Sequence, residues 1–533
     1  MKALLHYPTF FICIACIFCI SSTNFDMADA IRRCTALVSA ISLLLGYCFW
    51  LLMKGPSIQI PTDKILKTFC LVGVFEILYS ILQILGVINN HFHYHFFSGS
   101  FENPAILGML LSFCISISYY YTIKSVNKER VLWLAITILM ISFIVLSGSR
   151  TSLIASFSSI SFISYIEIPK CAKLFKNKYF LLFAPVVLII ASLLLYFYKM
   201  DSANGRLLIW NVSYEMIKDK PFLGWGTDGF LAQYMYHQAQ YFIQNPNSPY
   251  SDLASEVSFP FNEFIKCAVN YGLITLMMMI LLLILTVIFI WKEYKSKRCV
   301  ILSIILTLIM WGMFSYPSDV PFVWLIVLYL VLSILDTFLK KYYLKYIPII
   351  LICVCSTMLV FIGKRYYREF ERISLQENAL NNWDKNISAE YVRIYEHNKE
   401  NYRFLYNYGA ILHYHRMYKE SLGILKECSK HLADYNVQLL IADNYQRIGI
   451  PDSAISAYRY ASNMIPNRFL PLYYQMVVYQ EQGEHYKAQE IAKTIIHKKN
   501  KIKESKTVKE IIKRANECLK DNGQACENSL SCN

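Results

Sequence analysis

Charge is what this sequence has least of. Charged residues fill 17% of its 533 positions, against about 25% in a soluble globular chain. Hydrophobic residues fill 56%, and together these fractions exclude an ordinary soluble protein. Nucleotide chemistry is missing too. Gly224-Trp225-Gly226 follows no strand pattern, and no Lys-Ser/Thr completes a phosphate loop. These glycines read instead as sharp turns. No Ser-His-Asp order or nucleophile elbow occurs. Sixteen cysteines are present, yet no CxxC pair with metal-like spacing lies outside an apolar run. Cys13, Cys16 and Cys19 sit inside one and pack there as small hydrophobes. Near the end, Cys526 and Cys532 either close a small disulfide, if exported, or stay free thiols. The net charge of +15 comes with no nucleic-acid motif, so no nucleic-acid partner is expected.

What the sequence has in abundance is apolar runs. Crossing a membrane takes about 20 mostly apolar residues. Eleven runs qualify: 4–20, 35–53, 66–88, 104–122, 131–147, 151–167, 179–198, 265–291, 299–315, 321–338 and 346–363. The first, behind Lys2 and followed by Ala28-Asp29-Ala30, has the look of a cleaved signal peptide; with so many runs after it, a signal anchor is the simpler reading. Basic residues alternate between the connecting segments. Lys54/Lys64/Lys67, Lys124/Lys128/Arg130, Lys170/Lys173/Lys176/Lys178, Lys292/Lys295/Lys297/Arg298 and Lys340/Lys341/Lys345 fall on one side. Segments 89–103 and 315–321 on the other side hold no Lys or Arg. By the positive-inside rule the first set is cytoplasmic. The expectation is a multi-pass protein of a bacterial inner membrane, with the 199–264 loop and everything after Lys364 periplasmic. Arg32-Arg33, balanced by Asp26 and Asp29, is the one exception.

The region after residue 400 repeats itself. Tyr445, Gly449, Ala454 and Pro466 have counterparts at Tyr479, Gly483, Ala488 and Asn500, 34 residues on. Gly409, Tyr418, Ser421, Leu425 and Cys428 fit an earlier copy with a one-residue offset. This period resembles tetratricopeptide repeats. Stacked helix pairs of that kind either bind a partner protein or serve as a helical cap. The expected fold is therefore all-α: a polytopic membrane helix bundle of about eleven spans, residues 1–363, then a linker at 364–399. A C-terminal α-solenoid at 400–520 and a tail at 521–533 complete it.

Six signatures occur in order along the membrane part. Gly99-Ser100-Phe101-Glu102-Asn103-Pro104 opens the fourth run, and Ser147-Gly148-Ser149-Arg150-Thr151-Ser152 joins the fifth to the sixth. Gly205-Arg206-x-x-Ile209-Trp210, then Pro221-x-Leu223-Gly224-x-Gly226, follow the seventh. Asn262-Glu263-Phe264 with Tyr271-Gly272 opens the eighth, and Ser315-Tyr316-Pro317 ends the ninth. This set, over roughly residues 65–340, resembles the O-antigen ligase / O-antigen polymerase superfamily, which includes bacterial protein O-oligosaccharyltransferases. The resemblance implies transfer of a glycan from an undecaprenyl-diphosphate carrier to an acceptor, either lipid A core or protein, on the periplasmic face. It implies no nucleotide sugar, no cofactor and no essential metal.

The residue chemistry stands beside that resemblance. A lipid diphosphate needs cationic donors, and an Arg fork grips phosphate oxygens in pairs. Arg150 and Arg206 are isolated arginines at expected external span ends, and Ser149 and Thr151 flank Arg150 as further donors. Arg150 otherwise reads as an interfacial anchor, Arg206 as a headgroup contact, and Trp210 as a belt residue rather than a sugar platform. An acceptor hydroxyl calls for a general base. Where the superfamily usually has His-Asn, this chain has Phe261-Asn262. Glu263 takes the role, or a His such as His237 does, or no base acts. His91, His93 and His95 can share one strand face, but no carboxylate at defined spacing completes a metal set. Glu102 reads as a turn residue. Other readings are a repeat-unit polymerase, a transporter or flippase of the lipid-linked glycan, or an assembly platform. Glu76, the one clear acidic residue deep in a run, is the feature a transporter would need.

Overall fold

The structure, a computed structural model, describes residues 62–88, 96–101, 103–177, 193, 196–197, 199–294, 297–342, 347–381, 385–498 and 505–530. The runs at 4–20 and 35–53, nearly all of 179–198, His91, His93, His95, Glu102 and Cys532 lie outside them, as does the side chain of Cys526. Among the described residues every regular element is helical, in keeping with the all-α expectation. The first eight helices are α1 (Thr62–Ile84), α2 (Pro104–Lys124), α3 (Asn127–Ser147), α4 (Arg150–Glu167), α5 (Pro169–Phe175), α6 (Met200–Asp219), α7 (Gly229–Gln244) and α8 (Glu263–Glu293). There follow α9 (Arg298–Phe314), α10 (Pro321–Tyr342), α11 (Ile347–Asn381), α12 (Lys385–Asn398), α13 (Tyr402–Tyr414) and α14 (Tyr418–His431). The last are α15 (Tyr435–Ile448), α16 (Pro451–Met464), α17 (Leu470–Glu481), α18 (His485–His497) and α19 (Lys506–Leu530).

Among the described residues four helices, α1, α2, α3 and α8, are long and apolar enough to cross a membrane. A fifth span counts if α4 and α5, bent by 110° around Ile168, are taken together. This is fewer than the eleven runs because three fall outside the described residues. Three more form apolar helices shorter than a full span: α9, Pro321–Leu335 and Ile352–Phe361. The 199–264 interval, expected as a hydrated loop, is mostly helix. Its apolar residues recur at helical spacing, so that Leu208, Ile209, Val212 and Met216 share one buried stripe of α6. The segment expected as a linker is helical as well, within α11 and α12.

The chain divides into two compact units, both discontinuous in sequence. The first draws on the chain up to Tyr198, Phe261–Phe264 and Met278–Glu371; the second on Lys199–Pro260, Ile265–Met277 and the chain from Arg372.

In the first unit α2 is the hub, packed by α1, α3, α4 and α9. It is apolar all round with a column of small hydroxyl residues, and Ser112, Ser116 and Ser118 are fully buried. Each ties α2 to a neighbour: Trp311 Nε1 donates to Ser112 Oγ at 2.9 Å and Ser116 Oγ meets Thr307 Oγ1 at 3.0 Å. Ser159 Oγ donates to Ser116 Oγ at 2.6 Å, and Thr137 Oγ1 to Ser118 Oγ at 2.8 Å. Small polar residues let helices approach closely where lipid offers no hydrophobic drive for association. At one end of the unit the basic connecting segments meet acids. Lys297 pairs with Asp63 at 2.6 Å, Lys124 with Glu167 at 2.5 Å and Lys67 with Glu129 at 3.3 Å.

In the second unit α13 to α18 form three successive helix hairpins, with α19 closing the row and each helix packed on the next. The repeated small residues sit where helices cross. A Cβ on Gly409 would lie 2.6 Å from Leu425 Cδ2, and Ala454 and Ala488 are fully buried. Gly449 ends α15 in the left-handed region at φ 84°, which only glycine adopts without strain. The second hairpin's start is held by a polar relay. Asn444 Nδ2 donates to Ser421 Oγ, which donates to the Gly409 carbonyl, while Asn444 Oδ1 faces His413 Nδ1 at 2.9 Å. His413 Nε2 meets Asp443 at 3.1 Å. The row also receives α7, which packs on α16 and α14. Gln238, fully buried, donates to the Met464 carbonyl at 2.7 Å; Tyr236 OH donates to the Ser429 carbonyl and Asn467 Nδ2 to that of Ala254.

Two outcomes follow. Gly409→Ala should lower the unfolding midpoint of the detergent-solubilised protein by the equivalent of about 1–3 kcal/mol of overpacking, and Leu425→Ala in the same chain should restore part of it. The hydrogen bond to Asp443 raises His413 above its ordinary 6.5. Burial pushes Asp443 up, but the bond from His413 and the charge of Arg447 outweigh it and hold the carboxyl below 3.8. His413 therefore adds stability that is full below 6.5 and lost as pH rises through its higher folded value. Asp443 adds stability that is lost only as pH falls through its depressed value. His413→Gln should thus lower the midpoint near about pH 6 and have a shrinking effect toward about pH 9, read by fluorimetric melts across that range.

Candidate functional site

Four of the six signatures gather at one end of the first unit. The loop before α2 is pinned into α1. Glu76, buried in α1, accepts from the Ser100 N–H at 2.9 Å and from Ser100 Oγ at 2.7 Å. Gln83, two turns on, accepts from the Ser98 and Gly99 N–H groups and donates to the Gly99 carbonyl, at 3.0, 3.0 and 2.8 Å. Gly99 has φ +65°, and a Cβ there would sit 2.6 Å from Glu76 Oε2. Asn103 then caps α2 through Ala105 N–H, with Pro104 as the first helical residue. One turn later Gly108 leaves room for the second signature, since a Cβ on it would lie 2.5 Å from Ser152 Oγ.

That second signature is a helix-to-helix turn. Gly148 ends α3 at φ 62° and Ser149 caps α4, its oxygen accepting from Ser152 N–H and meeting Ser152 Oγ at 2.6 Å. Arg150 is thereby the first residue of α4, half-buried, at the end where the helix dipole is positive. Thr151 and Ser149 are buried, 7% exposed each. The fifth and sixth signatures interlock. Asn262 Nδ2 donates to the Met313 carbonyl at 3.1 Å, and its Oδ1 caps α8 through Phe264 N–H at 2.9 Å. Glu263 Oε1 accepts from Ser318 N–H at 2.9 Å, in the turn after Pro317. Phe261 holds a left-handed φ of 53° and packs edge-on against Tyr316 at 5.8 Å. An imidazole there would be a base; a phenyl ring is not. Phe101 against Phe322 at 5.7 Å brings the first loop to the start of α10.

The remaining signatures lie in the second unit, where Pro221–Gly226 and the Tyr271-Gly272 half of the fifth signature make a single device. Gly272 breaks α8 with φ 82° and ψ 172°. The break takes the Leu273 N–H away from its helical acceptor, the Val269 carbonyl, and gives it to the Pro221 carbonyl at 2.7 Å. Trp225 N–H fills Val269 O at 2.9 Å, and Gly226 N–H fills Asn270 O at 2.8 Å. No Cβ fits at Gly272, where one would lie 1.9 Å from the Phe222 carbonyl oxygen. Gly224 and Gly226 turn at φ 66° and 89°, as the sharp-turn reading expects. Asn270, 5% exposed, closes the device by accepting from Phe230 N–H at the start of α7. On α6, Arg206 is half-buried, and Trp210 donates its indole N–H to the Pro260 carbonyl at 2.9 Å. That bond makes Trp210 a strut of the polar interval. His237 on α7 is clamped, with Nδ1 2.9 Å from the Gln233 carbonyl, Nε2 3.0 Å from Asp219 Oδ2, and the ring edge-on to Trp225.

A family model described as O-antigen ligase matches residues 105–280. It runs from the first turn of α2, through Arg150, Arg206, His237 and Asn262-Glu263, past the break in α8. The match supports the O-antigen ligase superfamily resemblance, and with the apolar helices it supports an integral membrane protein. No curated protein matches the chain.

Sequence reasoning overlooked Asn270 and Gln83, whose amides satisfy backbone groups at two of the turns. Asn270 offered a signal, a polar residue two positions before Gly272, whereas Gln83 lies 16 positions from the Gly99 it holds and offered none. Gly272→Ala should therefore expose the Pro221–Gly226 turn, seen as faster cleavage there by protease added to the solubilised protein, with cleavage elsewhere unchanged.

Proposed function

We propose that the chain transfers a glycan from an undecaprenyl-diphosphate carrier to lipid A core or a protein, at the periplasmic face of a bacterial inner membrane. One observation carries this reading: the O-antigen ligase match spans residues whose turns are built rigidly, by caps and buried amides, around span ends. In the proposed reaction the acceptor hydroxyl attacks the anomeric carbon, the bond to the diphosphate breaks, and the negative charge stays on the departing diphosphate. Arg150 and Arg206 are each proposed, from sequence position, as a cation for that diphosphate. Arg150's place at a helix start supports its part, since the dipole and guanidinium favour the same anion. Ser149 is spent on the cap and Thr151 is buried, which leaves Arg150 as the principal donor of its turn.

Glu263 is our choice for the base that takes the acceptor proton, next to Asn262 in the substrate site. The chain has no His at position 261 to compete, and both nitrogens of His237 are engaged. A transporter reading is weakened by Glu76, whose carboxylate holds Ser100. The repeats are read as tetratricopeptide-like on the strength of their hairpins and glycine positions, and they tilt the acceptor or partner toward a protein.

Arg150→Ala and Arg206→Ala should each reduce transfer of a lipid-linked glycan in proteoliposomes by about 10²-fold or more, with insertion unchanged by protease protection. Lysine at either position should recover part of it, keeping charge without the fork. Glu263→Gln keeps an oxygen for Ser318 N–H but cannot take a proton, so it separates chemistry from support. Wild-type rates in both alanine variants would end the proposal.

A further inference from the structure

We propose that the Phe222-Leu223 pair is an interfacial wedge, inserted into the lipid at the level where α8 enters the bilayer. Phe222 is 66% and Leu223 81% exposed, on a turn that is otherwise tightly fastened. Three backbone hydrogen bonds fix it to α8: Leu273 N–H to the Pro221 carbonyl, Trp225 N–H to Val269 O and Gly226 N–H to Asn270 O, at 2.7, 2.9 and 2.8 Å. The turn cannot slide along the helix, because Gly272 and the Phe222 carbonyl leave no space for even one added carbon between them.

The height of that attachment follows from the helix itself. From Leu273 to Ile290 α8 is apolar apart from Thr275 and Thr286, a stretch of about 27 Å at 1.5 Å per residue, against a hydrocarbon core of about 30 Å. Met277, Met278, Leu282 and Leu285 along it are 70%, 64%, 67% and 55% exposed, a surface that lipid covers. One end carries Trp291, with the Arg298 guanidinium 4.7 Å from its ring. The other carries Tyr271, 44% exposed. Aromatic residues at both ends of an apolar run mark the two membrane interfaces. The boundary therefore falls at Leu273, the residue to which the turn is hydrogen-bonded, and the exposed phenyl and isobutyl groups meet acyl chains there. Attachment at Leu273, the first residue of the apolar run, selects lipid as the occupant over a separate protein partner.

The test uses the full chain in vesicles of phosphatidylethanolamine and phosphatidylglycerol, with an environment-sensitive fluorescent amino acid placed at Leu223. The same label at Asn247, in an exposed turn of the same polar interval, is the reference. Expected are a blue-shifted emission at 223 and quenching by doxyl-labelled lipid severalfold stronger than at 247, with iodide quenching correspondingly weaker. Phe222→Asp in the labelled protein should move both readings toward those at 247. Iodide quenching at 223 equal to that at 247 overturns the wedge. Protection from both quenchers overturns it too, since it means that protein covers the turn. No glycan transfer enters either reading, so the outcome is independent of the proposed activity.

Discussion

Everything in the second unit hangs on an exchange of hydrogen bonds. A helix broken at Gly272 strands one N–H and two carbonyls in a setting where unmet backbone groups are costly. The chain solves this by bringing up a second strand of backbone, Pro221 to Gly226, that is the complement of the damage. It donates where α8 lost donors and accepts where α8 lost an acceptor. Gly272 and Gly224 are needed because two backbones meet there with no room for a Cβ, and Gly226 because it turns at φ 89°. Asn270 then passes the register on to α7 through Phe230 N–H, and α7 carries it to the hairpin row. A single non-helical residue thus sets where a turn, a helix and the repeat region lie within that unit.

The first unit follows the same logic with other tools. Its signatures read as possible chemistry in the sequence, yet most of their polar atoms hold backbone. Glu76, Gln83, Asn103, Ser149 and Asn262 each satisfy N–H groups at a loop or helix start. Such a framework is what a site at a membrane surface requires, because a reacting group displaced by about 1 Å loses much of its rate advantage. Arg150 and Glu263 are the immediate chain neighbours of its caps, Ser149 and Asn262. Their placement explains why the signatures come as short clusters and not as single residues.

Much of this was legible in the sequence, and the failures have physical causes. Helix identity followed from long apolar runs, and the positions of the glycine turns followed from Gly-x-Gly spacing. The helical character of 199–264 was missed because polar residues, glycines and prolines break up its apolar ones. The stripe of Leu208, Ile209, Val212 and Met216 carries the signal, but average polarity hides it. The depth of Glu76 in an apolar run was visible, but the Ser100 loop that it holds was not. The bond from Trp210 to Pro260, fifty positions away, likewise has no local signal. The packing of α7 on α14 and α16 joins segments about 200 residues apart, and no local period encodes that.

This last feature bears on how the chain is made. Phe230, Tyr234, Met235 and Phe242 of α7 are nearly inaccessible in the finished protein, but α16, the helix that α7 packs on most, begins only at Pro451. At about 5–20 residues per second, ribosomes need roughly 10–40 s to supply it. For that interval a newly made aromatic stripe waits without its counterpart, and every copy of the protein passes through a stage in which a holding factor, or aggregation, competes with assembly.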